Sequence, residues 1–359
     1  MTSELQGLLE RASHALGQLD GAVLTLPNPD LFVLMYVRKE AVLSSQIEGT
    51  QSSLQDVLSA EAKIYSPDRP KDVREVINYV KAMRYGLERL KDLPVSVRLI
   101  REIHKHLLEG VRGSELTPGE LRRSQNWIGP GGCGLGEATF IPPPPSEIPQ
   151  ALSDWERFLH GDDEIPVLIK VGLAHAQFET IHPFLDGNGR IGRLLITFLL
   201  VEKGVLRKPV LYLSHYFKQH RQEYYERLQA IRDEGRWEEW LAFFLQGIAE
   251  VSEMAAVTAR RILRLREALR SRITENLGKS AGNGLKTLEQ LFESPIVDVM
   301  SVKKLIGTAY PAANQLMKRL TELGVVTEFT GKKRNRRFAF KEYIDLFDSE
   351  SVRSTERLS

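Results

Sequence analysis

Apolar residues fall three and four apart through most of the first 125 positions, with few β-branched runs, and that spacing predicts helices. Asn28-Pro29-Asp30 reads as the entry to a helix running through LFVLMYVRKEAVLSSQIE, and Gly49 reads as its stop. Ser66-Pro67-Asp68-Arg69-Pro70 breaks the chain again, ahead of a helix carrying Val73, Val76, Ile77, Val80 and Met83 on one face. The period is lost in GPGGCGLGEATFIPPPP, residues 129–145, where five glycines in eight residues precede Thr139-Phe140-Ile141 and four prolines. Such a composition makes a loop or short hairpin whose strand the prolines end. Helical spacing resumes near Pro149 through WERFL, LIKVGLAHAQFETIH, GRIGRLLITFLLVEKG, SHYFKQHRQEYYERLQAIRD and the long run from WEEWL to REAL. NLGKSAGNG, residues 276–284, reads as a small-residue linker and domain boundary. Three short helical patterns follow, LKTLEQLF, SVKKLIGTA and YPAANQLMKRLTELG. VVTEFTGKKRNRRFAF then alternates on either side of a basic turn, as a β-ribbon does.

Composition adds limits. A chain of 359 residues, 42% hydrophobic and 27% charged, has ordinary globular composition and room for two or three domains. Apolar runs such as Leu194 to Val201 are too short to span a bilayer, and MTSELQGLLERASHALG lacks the basic-then-apolar order of a signal peptide. A cytoplasmic location, away from membranes, is the expectation. The single Cys133 excludes an intrachain disulfide and a Cys-rich zinc site. A net charge of +2 says little about partners, because a balanced total hides local patches.

Candidate chemistry concentrates in HPFLDGNGRIGR, residues 182–193. Pro183 disfavours helical geometry at His182 and the glycines permit a tight turn, so one helix ends at Ile181 and another opens at about Gly189. Arg190 and Arg193 then lie near a helix N-terminus, the wrong end for cations unless an anion binds there. The backbone N–H groups of Gly187, Asn188 and Gly189 would point at the same anion, which implies a polyphosphate site. Asp186 offers the oxygen ligand that Mg²⁺ takes when it bridges protein and phosphates, and His182 is the proton acceptor. Taken singly, each residue has a blander reading: a buried histidine, or arginines paired with carboxylates. Their concentration in one turn favours a site. The stretch fits neither a P-loop nor a dinucleotide fingerprint.

The same stretch matches HPFx[DE]GNGRxxR without departure, and the chain resembles the Fic family over most of residues 1–250. IPPPP after the flap, Tyr224-Tyr225 and WEEWLAFFL are similar to their family counterparts. The resemblance implies a mainly α fold, a Fic-type helical bundle with a short β-hairpin flap; the last 75 residues, three helices followed by a basic-tipped ribbon, separately resemble a small winged helix-turn-helix (α+β) domain. It implies a protein adenylyltransferase that moves AMP from ATP to a Ser, Thr or Tyr hydroxyl. His182 would deprotonate that hydroxyl, and Asp186 would hold Mg²⁺ on the α- and β-phosphates. Asn188, Gly187, Gly189 and Gly192 would line the phosphate cradle, with Arg190 on the β-phosphate and Arg193 on the γ-phosphate. Tyr225 would contact adenine or ribose. Glu137-Ala138-Thr139-Phe140 would align the target as an added strand. Ser44-Ser45-Gln46-Ile47-Glu48-Gly49 matches the inhibitory pattern [ST]xxxE[GN]. Ser44, Glu48 and Gly49 would thus mark a helix, about 30–49, whose Glu48 competes for Arg193. A carboxylate at a helix C-terminus also calls for a cationic partner.

The implied layout is an N-terminal helical region 1–100, a catalytic domain 101–275 with flap 129–145, the linker 276–284, a winged-helix-like domain 285–348 and a disordered tail 349–359. Lys332, Lys333, Arg334, Arg336 and Arg337 would form the wing tip, and Tyr310 to Leu323 a recognition helix whose basic residues are Lys318 and Arg319. Candidate partners are ATP, an unidentified target protein, the chain itself as target, DNA at the C-terminal module and a second copy of the chain. Removal of AMP, transfer of another nucleotide or phosphate-containing group, and a nucleotide-sensing DNA-binding regulator are the competing readings.

Overall fold

The structure is a computed structural model of the chain. It describes residues 2–26, 29–64, 70–129, 132, 134–161, 164–331 and 335–347. Asn28, Ser66 to Arg69, Cys133, Lys332, Lys333, Arg334 and the expected tail 349–359 lie outside the described residues. In chain order the elements are α1 (Ser3–Leu24), α2 (Pro29–Ile47), α3 (Leu54–Glu61), α4 (Val73–Arg89), α5 (Val97–Leu107), α6 (Ile148–His160), α7 (Val167–Ile181), α8 (Asn188–Glu202), α9 (Ser214–Gln219), α10 (Arg221–Glu234), α11 (Trp237–Leu277) and α12 (Ala281–Glu293). Then come β1 (Ile296–Asp298), α13 (Val299–Ile306), α14 (Tyr310–Glu322), β2 (Thr327–Glu328), β3 (Arg337–Ala339) and α15 (Lys341–Asp345). The fold is mainly helical, as the sequence predicts.

Three expectations need correction. The helical reading of the first 125 residues holds to Leu107 and then fails, with no helical turn among the described residues until Leu135–Glu137. Gly110, Gly113 and Gly119 have φ of 62°, 84° and 86° and Thr117 has φ 51°, left-handed geometry that cannot continue a helix. The single helix expected over SHYFKQHRQEYYERLQAIRD is two, broken at His220, whose φ and ψ are −110° and 39°. The expected linker 276–284 is helical: Asn276 and Leu277 close α11, Gly278–Ser280 forms a 3₁₀ turn and α12 starts at Ala281. Gly284 serves close packing, since a Cβ there would sit 2.6 Å from Leu277 and 2.9 Å from Ile273.

The chain divides into two compact units, residues 1–20, 36–52 and 70–253, and residues 21–35, 53–69 and 254–359. In the first, α7 packs against α6, α8 and α10, while α4 packs on α5 and α8. α7 and α8 are buried nearly all round, which is why their sequences show no polar face. Two indoles brace α7: Trp155 Nε1 donates to Ala174 O and Trp240 Nε1 to Gly172 O, each at 2.9 Å. In the second unit, α12, α13 and α14 accompany an antiparallel sheet of order β1-β3-β2, with Ala339 opposite both Ile296 and Thr327. Phe292, Phe340 and Tyr343 form its aromatic core. The helical run Trp237–Glu293 is long and apolar enough to cross a membrane by composition, a feature missed in the sequence; 67% of its most apolar window is buried inside the protein.

Candidate active site

The loop between α7 and α8 is built by its own residues. His182 caps α7 in the left-handed region, with φ 48° and ψ 60°, and Gly187 opens α8 with φ 78°. Asn188 closes the loop on itself: its Oδ1 accepts from Phe184 N at 2.9 Å and its Nδ2 donates to Phe184 O at 2.8 Å. The side chain expected at the phosphates thus also closes the loop, and its backbone N–H opens α8. His104 braces the turn from α5. Its Nδ1 accepts from Gly119 N at 2.8 Å, so Nε2 carries the proton and donates to Asp186 O at 3.0 Å. The ring also stacks on Phe184 at 3.8 Å.

Arg122, buried although it lies in the irregular segment, holds the other side. Its Nε donates to His182 O at 2.9 Å and its guanidinium reaches Ile181 O and Pro143 O, tying α7, the loop and the prolines after the flap together. Burial, together with Arg232 and Arg122, pushes the His182 imidazole down to about 4, against the opposing influence of the Glu179 carbonyl and Glu48. At neutral pH the ring is uncharged and able to accept a proton.

Both arginines are nearly inaccessible. Arg190 NH1 lies 3.3 Å from Glu75 Oε2 and its NH2 3.5 Å from Asp186 Oδ1. Arg193 Nε donates to Ser44 Oγ at 2.8 Å, and its NH2 to Ser44 O at 3.0 Å and to Glu48 Oε1 at 2.7 Å. Burial opposes the charge on Arg193, but Glu48, Tyr224, Tyr225 and Glu179 outweigh it and raise its pKa. Burial works equally against the Glu48 carboxylate, yet Arg193, Arg190 and His182 hold it below its usual range. Gly49 turns the chain just after this carboxylate, with φ 97°. A side chain at Gly189 would collide with Glu48 Oε1, and one at Gly192 with Glu179 Oε1. These glycines let two carboxyls press against the first turn of α8.

Asp186 Oδ1 accepts from Gly187 N at 2.6 Å, and Gly113 lies against the other oxygen. No group of three or more His, Cys, Asp or Glu among the described residues could hold a metal ion by itself. One partly exposed carboxylate at a helix N-terminus suits Mg²⁺ delivered with phosphates, its usual mode.

Among the described residues the flap has one antiparallel bridge, Ile128 with Phe140, supported by Thr139 N donating to Ile128 O at 2.8 Å. Glu137 lies in the 3₁₀ turn Leu135–Glu137, so extended backbone begins at Ala138 and the edge is shorter than expected. Tyr225 is 38% exposed beneath Arg221, whose Nε donates to Ile47 O at 3.2 Å. Its neighbour Tyr224 is buried; His175 Nδ1 donates to Gly192 O, leaving Nε2 to accept from Tyr224 OH at 3.0 Å.

Among the described residues, the cations expected at a phosphate backbone are engaged within the second unit. Arg319 donates to Asn276 O and Leu277 O, Lys318 pairs with Glu322, Arg336 reaches Asn314 and Arg337 pairs with Asp298 at 2.7 Å.

Sequence reasoning missed Glu75, His104, Arg122, Glu179 and Arg232. Only one left a signal: Glu179 is a carboxylate in a helix otherwise mostly apolar, whereas Glu75 lies off the apolar face read from the sequence of α4.

A helical bundle that sets a glycine-rich loop between two buried helices, with a histidine before it and two arginines after it, defines a narrow class. The model described as Fic/DOC family N-terminal matches residues 6–88 and that described as Fic/DOC family matches residues 94–200, together more than half of the chain. The chain belongs to the Fic/DOC family. A probable protein adenylyltransferase of Aquifex aeolicus is 34% identical over 181 residues, covering 49% of this chain and 51% of that protein. Protein adenylyltransferase Fic of Culex quinquefasciatus is 32% identical over 194 residues, covering 52% of this chain and 35% of the relative. The match thus spans about half or less of these relatives' length. In fold, a Fic family protein from Desulfovibrio desulfuricans is similar over 95% of this chain and 96% of its own, with a TM-score of 0.62 at 18% identity.

Proposed function

We propose that this chain transfers AMP from ATP to a hydroxyl of a protein, and that Glu48 holds it in a resting state. The observation that carries the reading is the first turn of α8. Two buried guanidiniums there are neutralised by carboxylates from other helices, Glu75 and Glu48, and the His182 imidazole lies within electrostatic reach of Glu48. Such an arrangement binds an anion once the replaceable carboxylate leaves. The names of the relatives support the same chemistry.

In this reading the nucleotide phosphates lie on the backbone N–H groups at the start of α8, with Arg190 and Arg193 as charged partners. His182 takes the proton of the target hydroxyl. The hydroxyl oxygen then bonds to the α-phosphorus as the bond to the bridging oxygen breaks, and pyrophosphate leaves. Asp186 would hold Mg²⁺, which supplies charge neutralisation at the phosphates when bound. The backbone from Ala138 to Phe140 would receive the target as an added strand. Glu48 occupies the guanidinium that the γ-phosphate needs, so nucleotide can enter but not align.

Intact-mass measurement after incubation with Mg²⁺ and ATP tests this reading. A gain of one AMP unit in the Glu48→Gly chain, absent when His182→Ala is added, is expected. A Glu48→Gly chain that stays folded and labels neither itself nor any protein in a whole-proteome substrate panel would refute it.

A further inference from the structure

Arg232 projects from α10 into the space between the flap and the end of α7. Its guanidinium carbon lies 3.9 Å from the centre of the Phe140 ring. Its NH2 donates to Glu179 O at 3.1 Å and its Nε to Thr180 Oγ1 at 3.4 Å, while NH1 returns to Gln229 on its own helix at 3.4 Å. One planar cation therefore grips the residue at the Ile128–Phe140 bridge of the flap and the last turn before His182. Cation–π contact and charge-assisted bonding are each stronger when partly desolvated, as here.

We propose that Arg232 is a positioning residue that couples the flap to the His182 turn, so that one guanidinium sets both where a target strand is seated and how its proton acceptor is presented. Three features support a link beyond simple bracing. The Glu179 carbonyl that accepts from Arg232 also faces the His182 imidazole, whose Nδ1 has no hydrogen bond of ordinary geometry among the described residues. Arg232 is the charged side chain that most disfavours a proton on that ring; Arg122 acts in the same sense from the irregular segment, and Glu48 from α2 acts against both. Phe140 lies in the described part of the flap, paired to Ile128, so a shift of the guanidinium displaces the bridge directly.

Lysine separates charge from shape at this position. An ammonium keeps the positive charge but cannot lie flat on the ring while bonding both oxygens. The consequence for catalysis rests on the transferase reading above, whereas the link itself does not.

The test uses the full chain as wild type, Arg232→Met, Arg232→Lys and Phe140→Leu, with imidazole-labelled histidine and Mg²⁺-ATP as the nucleotide. NMR titration of His182, identified by the signal lost in His182→Ala, reads the charge arm. Hydrogen exchange of residues 134–141 reads the flap arm, and AMP incorporation into the chain reads the outcome. Arg232→Met should raise the His182 midpoint by about half a unit or more and speed flap exchange at least about threefold. Arg232→Lys should keep the midpoint near wild type and still speed exchange, and Phe140→Leu should speed exchange alone. A midpoint shift without a flap change, or the reverse, in Arg232→Met overturns the coupling. If Arg232→Met fails to fold, Arg232→Lys with wild-type flap exchange overturns it equally. Absence of AMP incorporation in every chain, each also prepared with Glu48→Gly and supplied with the protein panel, would refute the transferase reading while leaving both NMR and exchange results decisive for Arg232.

Discussion

Replacing Glu48 with glycine removes one contact and frees one cation. Arg193 NH2 and Glu48 Oε1 are 2.7 Å apart, and the Glu48 side chain keeps 30% of its exposure. A charge-assisted hydrogen bond is worth about 1.5 to 3 kcal/mol net, and partial exposure places this one at the lower end. About 1.5 kcal/mol corresponds to roughly tenfold in the population of productively bound nucleotide, with roughly a hundredfold as the ceiling. Nucleotide affinity should change less, because a misaligned nucleotide still uses Arg190 and the α8 backbone. The substitution also leaves Arg193 buried with Ser44 as its hydrogen-bond partner among the described residues, so the nucleotide-free variant should be less stable and should gain more from Mg²⁺-ATP in thermal unfolding. Initial rates of labelled-AMP incorporation are compared for wild type, Glu48→Gly, Arg193→Ala and the double variant. The gain should vanish in the double variant, since relief is useful only when the guanidinium is present. A Glu48→Gly rate at or below wild type, in a chain that still unfolds cooperatively, would show that the pair restrains nothing.

Three further outcomes are expected. His182→Ala should abolish transfer with Mg²⁺-ATP affinity nearly intact, because in the proposed reaction the ring acts on the target hydroxyl and not on the phosphates; calorimetry beside a transfer assay checks the split, and undiminished transfer would remove His182 from the mechanism. Arg193→Ala should shrink the difference between ATP and ADP binding, by about tenfold or more; an unchanged difference would mean that the γ-phosphate lies elsewhere. Glu179 gives a pH signature: burial pushes its carboxyl up to about 7, Glu48 adding to the push and Arg193 and Arg232 opposing it. The folded chain then keeps this proton up to about pH 7 while the unfolded chain releases it at about 4.3, so unfolding releases a proton between those values. Stability from this group falls as pH rises through that window, by about 1.4 kcal/mol per unit, and is level above it. Urea unfolding of wild type and Glu179→Gln at pH 5, 6, 7 and 8 should show the variant gaining on wild type up to pH 7; parallel curves would contradict the assignment.

What the sequence alone determined is local. Pro29 and Gly49 bound α2, the turn from His182 to Gly187 is written in one proline and one glycine, and α8 begins where the loop chemistry requires. These features depend on φ, ψ and spacing within a few residues, which a linear chain displays directly. Position 284 shows the limit of that reading: a glycine taken for slack in a linker is there so that α12 can approach Ile273 and Leu277. The fate of Asn188 shows it too, since both amide groups turned inward to Phe184 although the residue type suited phosphate equally well. Only tertiary structure decided which buried charges meet. Glu48 reaches Arg193 across 145 positions, Glu75 reaches Arg190 across 115 and Arg122 reaches the His182 carbonyl across 60. No periodicity encodes those pairings, because each depends on which faces of separate helices come together. Once a guanidinium is desolvated, a carboxylate or carbonyl must be at hand, and packing chooses which one.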